Sequence, residues 1–242
     1  MKRITILPVA IFLLAAAGCK KNKTEPPPPT GTAKIKTETS NGGSTTSYEY
    51  DAQGRRILVT RSNGSKIVYI YSGNIVSEKN YDNAGNFINE SSHELNNLGL
   101  VIKTTYPPAS ISRTTYQYNA GNQLINTHFV SGPLSDSTDS RCYYSAQEKL
   151  DSIVVSGNNY TIQGLKYIYE YSLDKPNTVS NINYGLLYWG KENSSTPVTK
   201  YTVVNPDGSI QQVDIYTYEY DTYNRISKVI YSPTSFDAYT YY

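Results

Sequence analysis

Tyrosine pairs separated by one residue recur along this chain, and they limit what it can fold into. A period of two places both members of a pair on one face of a β-strand, whereas a helix would turn them away from each other. Tyrosine also fits a half-buried pleated surface. The repeats are Tyr48/Tyr50, Tyr69/Tyr71, Tyr116/Tyr118, Tyr167/Tyr169/Tyr171, Tyr216/Tyr218/Tyr220 and Tyr239/Tyr241. The pattern predicts an all-β protein.

A turn motif follows several of these pairs. The run from Tyr48 to Arg55, with Asp51 and Gly54 inside it, is repeated from Tyr218 to Arg225. Asp or Asn at the first turn position can cap the turn, and Gly or Asn three residues later accepts a positive φ at low cost. The same spacing occurs at Asp82–Gly85, Asn96–Gly99 and Asn205–Gly208.

Other turn sequences depart from this spacing. Asn119 to Asn122 is predicted to be a shortened version of the motif. Asn41-Gly42-Gly43, Asn63-Gly64 and Ser72-Gly73-Asn74 are predicted to form tighter hairpins. Together the turns predict one large antiparallel meander of about 12–16 strands, and a sheet of that size must curl strongly or close into a barrel-like form.

The first 18 residues are predicted to be a lipoprotein signal peptide. Lys2 and Arg3 precede an apolar stretch that ends in Ala16-Ala17-Gly18-Cys19. This ending resembles a bacterial lipobox, which implies that Cys19 is acylated and becomes the mature N-terminus. An ordinary signal peptide with a chance cysteine is the alternative.

Residues 19–43 are predicted to be a lysine- and proline-rich tether that merges into the first strand, and residues 44–242 to be the β domain. Pro26 to Pro29 favour a stiff extended conformation. From Ser44 onward the chain has 15 basic and 18 acidic residues. This balance argues against nucleic-acid binding, which requires a basic face.

The motif from Tyr48 to Arg55 resembles the tyrosine–aspartate (YD) repeat of Rhs-type cell-surface proteins. Together with the lipobox and the tether, it is similar to a group of Gram-negative lipoproteins whose domain of unknown function is described as porin-like. The resemblance covers about residues 44–242. It implies a curled antiparallel sheet and supplies no catalytic residues.

No catalytic site, metal site or cofactor is predicted. Glu49, Glu170 and Glu219 each lie between tyrosines, and paired carboxylates could hydrolyse glycosides. Their equivalent places in the repeat favour exposed structural positions instead. His93 and His128 lack a ligand partner at metal-binding spacing. Ser137 and Ser152 lie in sequences that resemble an O-glycosylation sequon of exported proteins.

Tyrosines are the best candidates for ligand binding, since a flat apolar ring with a hydroxyl suits stacking on sugars or peptides. Most of the 25 tyrosines are also expected to pack inside the sheet. The predicted ligand-binding candidates are Tyr69, Tyr71, Tyr167, Tyr169, Tyr218 and Trp189. Trp189 belongs to the segment 183–193, which is predicted to be a loop or short helical turn that plugs one end of the sheet.

These features predict a non-enzymatic lipoprotein attached to the outer membrane by its N-terminal lipid, at the cell surface or the periplasmic face. It would be a binding or structural module, with a glycan or envelope protein as partner. The alternative is a periplasm-facing partner of an outer-membrane assembly that pairs with protein strands. A membrane-spanning β-barrel is disfavoured because strand charges fall on both faces, as with Arg55 and Arg56, and a glycosidase is also disfavoured.

Overall fold

The computed structural model describes residues 33–106, 112–132, 136–158, 163–172, 174–180 and 196–242. These residues form 17 β-strands and no helix. The strands are β1 (Ile35–Ser40), β2 (Thr45–Tyr50), β3 (Arg56–Arg61), β4 (Lys66–Ser72), β5 (Ile75–Tyr81), β6 (Phe87–Leu95), β7 (Val101–Thr105), β8 (Arg113–Tyr118), β9 (Leu124–Val130), β10 (Ser137–Tyr144), β11 (Leu150–Gly157), β12 (Gln163–Tyr171), β13 (Val198–Val204), β14 (Ile210–Ile215), β15 (Thr217–Tyr220), β16 (Ile226–Ser232) and β17 (Ser235–Tyr241). Within these ranges, no helix long and apolar enough to cross a membrane is found.

The strands form one antiparallel sheet that is nearly closed into a barrel. Strands β1 to β13 each pair with the next strand along the chain, as do β15 and β16. The first and last strands also pair, with Glu38 opposite Tyr239 and Ser40 opposite Asp237. The predicted curled meander is confirmed.

Strands β14 and β15 are the two halves of one extended run, separated only by Tyr216. The first half pairs with β13 and the second half with β16. When the run is counted as one strand, the 17 strands become 16, which is the upper limit of the strand number predicted from the turns. Strand β16 pairs with β15 and ends at Ser232, where the chain turns into β17, so it does not continue alongside β14. The edge of β14 that faces away from β13 therefore has no paired strand among the described residues.

The repeated turns share one hydrogen-bond pattern. In the turn from Asp51 to Arg55, the Asp51 amide donates to the Arg55 carbonyl and the Gly54 amide donates to the Asp51 carbonyl. The Asp51 carboxylate accepts bonds from the Gln53 and Arg55 amides at 3.0 and 2.8 Å and pairs with the Arg55 guanidinium at 2.7 Å. The aspartate therefore caps the turn and also holds the arginine, as Asp221 does for Arg225.

Several turns that were predicted from the sequence to differ from the repeated turn share its hydrogen-bond pattern. The turn at Asn119 is full length, because Asn122, with φ of 62°, occupies the left-handed position. The turns from Ser40 to Ser44 and from Arg61 to Ser65 also have the repeated bonding. The shortened form at Asn119 and the tighter hairpins at Asn41 and Asn63 were therefore wrong predictions. Ser72 is paired with Ile75, which leaves the expected two-residue loop.

One tyrosine, in most cases the last of its repeat, connects two paired strands in each of seven places. Its hydroxyl donates to the backbone carbonyl of the residue that begins the preceding strand or, for Tyr218, that begins β13. These seven bonds, here called the tyrosine latches, join Tyr50 to Ile35, Tyr71 to Arg56, Tyr118 to Val101, Tyr144 to Leu124, Tyr171 to Leu150, Tyr218 to Val198 and Tyr241 to Ile226. The recurring tyrosine thus has a structural function in seven hairpins.

The strand face that carries the tyrosine repeats, here called the tyrosine face, is the concave side of the sheet. Tyr48 and Tyr69 are only 6% and 4% exposed, whereas Glu49 and Ile70 on the opposite face are exposed. Residues of this face form one apolar core that joins strands β1 to β7: Ile35, Tyr48, Val59, Tyr69, Val76 and Val101. Because the first and last strands pair, the sheet curls around this buried face.

The long connection between β12 and β13 returns to the core at one end of the sheet. Thr178 is fully buried, and its hydroxyl accepts a bond from the Ile226 amide at 2.7 Å. Val179 packs against the core. The predicted plug at 183–193 lies outside the described residues.

Candidate functional site

The structure places the predicted tyrosines in two different environments. Tyr69 is buried in the core, where its hydroxyl accepts a bond from Arg56 at 2.7 Å. Tyr71 and Tyr218 form latches. Tyr167 and Tyr169 line an open cavity, and Trp189 lies outside the described residues. The six candidates therefore do not form a single site.

The cavity lies on the tyrosine face between strands β9 and β13 and has a volume of about 360 Å³. This volume falls in the range of about 300–1,000 Å³ that is common for small-molecule sites. This cavity is here called the lumen cavity. Its lining residues carry no charge: Leu124, Thr127, Ser140, Cys142, Ile153, Val155, Tyr167, Tyr169 and Tyr201. It combines an aliphatic floor with an aromatic wall.

Three rings form that aromatic wall. The ring centroids of Tyr167 and Tyr201 lie 5.8 Å apart with an interplanar angle of 13°, which is a stacked arrangement. Tyr169 and Tyr201 lie 5.5 Å apart and tilted. The sheet register explains the arrangement, because Tyr169 is opposite Tyr201 on the neighbouring strand. All three rings line the cavity and contact one another, and they are here called the tyrosine platform.

The platform hydroxyls have no hydrogen-bond partner among the described residues, although most other tyrosines of this face bond to protein. Burial raises the pKa of Tyr169, and neighbouring Tyr201 acts in the same direction. Burial also raises the pKa of Tyr201 and of the Cys142 thiol. At neutral pH Tyr169 and Tyr201 are therefore neutral phenols, which can both donate and accept hydrogen bonds.

Sequence reasoning missed Tyr201 and Cys142 as site residues. Tyr201 lies outside any tyrosine pair, in the run Val198-Thr199-Lys200-Tyr201. Only the pairing of β12 with β13 brings its ring to Tyr169. Cys142 joins the cavity because it is opposite Ile153, which is opposite Tyr167 in turn. The predicted meander already paired these strands in order, but their register, which decides which side chains meet, was not part of that prediction.

A second polar cluster lies inside the opposite part of the sheet. His93 Nδ1 is 2.9 Å from the Thr104 hydroxyl, and His93 Nε2 is 3.7 Å from the Glu78 carboxylate. This order of hydroxyl, imidazole and carboxylate is that of a hydrolase triad. Thr104 is 0% exposed, however, and its hydroxyl also bonds to Tyr116 at 3.2 Å. A substrate has no route to this hydroxyl in the structure, so the cluster is a structural network.

The three glutamates considered for catalysis lie on the outer face of the sheet. Glu170 forms an ion pair with Lys200 at 2.7 Å, and Glu219 lies 3.5 Å from Lys228. Glu49 is exposed on β2. No two of these strands are neighbours. In the described part of the chain, no group of three metal-ligating side chains occurs either.

The two serines of the sequon-like sequences differ in access. Ser152 is 2% exposed, and its hydroxyl bonds to Asp151 at 3.2 Å. Ser137 begins β10, where its amide donates to Asn158 at 2.8 Å. Of the two, only Ser137 has a partly exposed side chain.

Comparison with known proteins agrees with the geometry. The RHS Repeat family model matches residues 34–66, which contain the first Tyr-x-Tyr-Asp motif. No curated protein matches the chain. A porin-like protein from Bacteroides uniformis has a TM-score of 0.58 and 14% identity over 90% of this chain and 99% of its own. One from Bacteroides vulgatus has a TM-score of 0.61 and 12% identity over 86% and 99%.

The chain has a porin-like YD-repeat fold. The resemblance read from Tyr48 to Arg55 is therefore confirmed, both as a repeat and as a curled antiparallel sheet. At 12–14% identity the solved structures establish the fold alone. The ligand of this chain must be argued from its own cavity.

Proposed function

We propose that this protein is a non-enzymatic lipoprotein of the outer membrane whose lumen cavity binds a glycan or envelope polymer. The tyrosine platform carries the proposal. Three phenol rings, whose hydroxyls have no hydrogen-bond partner among the described residues, line an uncharged open cavity, and such rings suit stacking on the apolar face of a sugar.

Cys142 provides a direct test because it lines the lumen cavity. The chain has two cysteines, so Cys19→Ala leaves Cys142 as the one thiol. The alkylation rate of Cys142 in the folded full chain is measured with and without soluble oligosaccharides. A ligand that protects Cys142 in this chain and fails to protect it in Tyr201→Ala supports the proposal. If alkylation is unaffected by every oligosaccharide, and titration calorimetry shows no binding, the glycan role is wrong.

The membrane anchor is tested separately at Cys19. Cells that express the full chain are fed a labelled fatty acid, and label in the wild-type protein that is lost in Cys19→Ala supports lipidation. Cys142→Ala is the matched control, because it removes the other cysteine. Protease treatment of intact and lysed cells then distinguishes the cell surface from the periplasmic face.

One observation favours the second function, that of a partner in an outer-membrane assembly. The open edge of β14 is flanked by exposed Val213 and Ile215. Neighbouring residues of a strand direct their backbone groups to opposite sides. The Tyr216 amide bonds to Thr199 of the β13 side, so the backbone groups of Val213 and Ile215 face the open edge. An extended protein strand could pair there.

Crosslinking at this edge separates the two functions. A photoreactive residue at position 213 should capture an envelope protein in living cells if strand pairing is the function. The same residue at position 70, which is also exposed but lies on the fully paired β4, is the control. Equal labelling at both positions would remove the support for strand pairing.

A further inference from the structure

Beside the tyrosine platform lies a pair of polar side chains that no sequence motif marks. Asp214 is opposite Tyr201 in the pairing of β13 with β14, and Gln212 is opposite Val203. Directly opposite residues of an antiparallel pair point to the same face of the sheet. Asp214 and Gln212 therefore lie on the tyrosine face, next to the outermost ring of the platform.

These two side chains are joined to each other. The Gln212 amide nitrogen donates to the Asp214 carboxylate at 2.6 Å. This bond fixes the orientation of the carboxylate and leaves the Gln212 carbonyl oxygen and the second carboxylate oxygen as acceptors. Gln212 is exposed and Asp214 is half-buried, so both are within reach of a ligand that enters the cavity.

The Asp214 carboxylate has no cationic partner among the described residues. No ion pair to it occurs in that part of the chain, and its negative charge adds to burial, the larger cause, in raising the pKa of Tyr201 and Tyr216. The lining of the lumen cavity is uncharged as well. A ligand on the platform thus meets a negative potential from one side, with no lysine or arginine in the lining to offset it.

We infer that Asp214 and Gln212 make the lumen cavity selective for uncharged sugar rings and exclude sugars that carry a carboxylate or phosphate. The inference rests on the proposed function and names its ligand class. A sugar stacked on Tyr201 would donate hydroxyl hydrogens to the Asp214 carboxylate, and hydrogen bonds to an ionised acceptor are among the stronger ones. An anionic sugar would instead place like charge beside a partly desolvated carboxylate.

The test uses pairs of oligosaccharides that have the same length and linkage and differ only at C6, as CH₂OH or as carboxylate. Binding to the full chain with Cys19→Ala is measured by protection of Cys142 and by titration calorimetry. The neutral member of a pair is expected to bind at least tenfold more tightly. Asp214→Asn is expected to weaken the neutral member by about tenfold, as the loss of a charged hydrogen bond predicts, and to reduce the discrimination within the pair.

Glu219→Gln is the matched control. It removes one negative charge from the same extended run, but on the outer face, where the side chain is 57% exposed. It should leave both affinities and the discrimination unchanged. Tyr201→Ala should weaken both members of each pair, because it removes the stacking surface.

The outcomes separate the inference from the function on which it rests. Equal binding of neutral and anionic sugars by the wild-type chain would overturn the selectivity and leave glycan binding intact. Selectivity that survives Asp214→Asn would assign it to other residues and overturn the roles of Asp214 and Gln212. Absence of binding by every pair would overturn the proposed function itself.

Discussion

Two groups of strands in the sheet share one sequence repeat and differ in how densely their tyrosine face is packed. Strands β1–β8, β16 and β17, here called the packed arc, contain nearly all buried apolar strand residues of the described chain. Strands β9–β14, the open arc, contain the lumen cavity and only Val203 as a buried apolar strand residue. Latches occur in both arcs, as at Tyr71 and Tyr171. The repeat therefore determines the strands and hairpins, and other residues determine whether the tyrosine face is packed or left open.

The partners of the first tyrosine in a pair show the difference. In the packed arc, Tyr48 donates to Glu38 at 2.6 Å and Tyr69 accepts from Arg56. The Arg56 guanidinium also lies 4.7 Å from the Tyr69 ring centroid. In the open arc, Tyr167 and Tyr169 have no such partner among the described residues and line the cavity. The same position is thus a core residue in one arc and a cavity-lining residue in the other.

The largest expected effect on the free energy of unfolding comes from replacing the first tyrosine of a pair with alanine. Tyr69→Ala should reduce the free energy of unfolding by about 3–5 kcal/mol, because it opens a cavity and removes the hydrogen-bond partner of a buried guanidinium. Tyr169→Ala should cost about 1–2 kcal/mol, since its ring already borders open space. Urea unfolding of the full chain measures both. Equal losses would erase the distinction between the arcs.

Acid should act mainly on the packed arc. The His93 imidazole, 3.7 Å from the carboxylate, holds the pKa of Glu78 below its ordinary value, and burial opposes it. A carboxyl with a lowered pKa in the folded state contributes stability above its unfolded pKa, and this contribution is lost as the pH falls through the folded value. The free energy of unfolding should therefore decrease below about pH 4.5, the ordinary value for glutamate.

Glu78→Gln should flatten that part of the pH profile, as measured by urea unfolding between pH 3 and pH 7. Glu170→Gln in the open arc is the control, because Glu170 is 56% exposed and its pair with Lys200 is screened by solvent. A profile that Glu78→Gln leaves unchanged would show that the His93–Glu78 pair does not link stability to pH.

Much of the fold could be predicted from the sequence, because the motifs that determine it are short and local. The Asp51 to Arg55 motif encodes a complete turn, and the period-two tyrosines encode a strand face, so the all-β meander followed without coordinates. The turn at Asn119 was misread because two left-handed residue types, Gly121 and Asn122, stand side by side. Either could have taken the positive φ.

Only half of the candidate site could be predicted from the sequence, because the other half depends on the register of the strands. Tyr167 and Tyr169 were candidates as members of a repeat, but Tyr69 and Tyr218 had the same pattern and are core and latch residues. Which tyrosine stays open depends on what strand pairing and curvature place opposite it. Tyr201 and Asp214 show this most clearly, since neither belongs to a motif.

The latches should contribute equally in the two arcs. Tyr71→Phe and Tyr171→Phe each remove one hydroxyl that bonds to a carbonyl, at 2.9 and 2.7 Å. Each should cost about 1 kcal/mol of unfolding free energy, the usual net worth of one hydrogen bond. Tyr167→Phe, which removes a hydroxyl without a protein partner, is the control and should cost less. Unequal latch values would mean that the surrounding packing determines what a latch is worth.

The smallest expected effect concerns the turns. Glu148 in the open arc adopts a φ of 60°, whereas Gly54 occupies the equivalent position in the packed arc. A left-handed conformation costs a residue with a side chain about 1–2 kcal/mol. Glycine avoids this cost but gives up more entropy on folding. Glu148→Gly should therefore raise the midpoint of thermal unfolding slightly, and Gly54→Ala should lower it. A lower midpoint in Glu148→Gly would show that the Glu148 side chain stabilises its turn by more than its backbone strain costs.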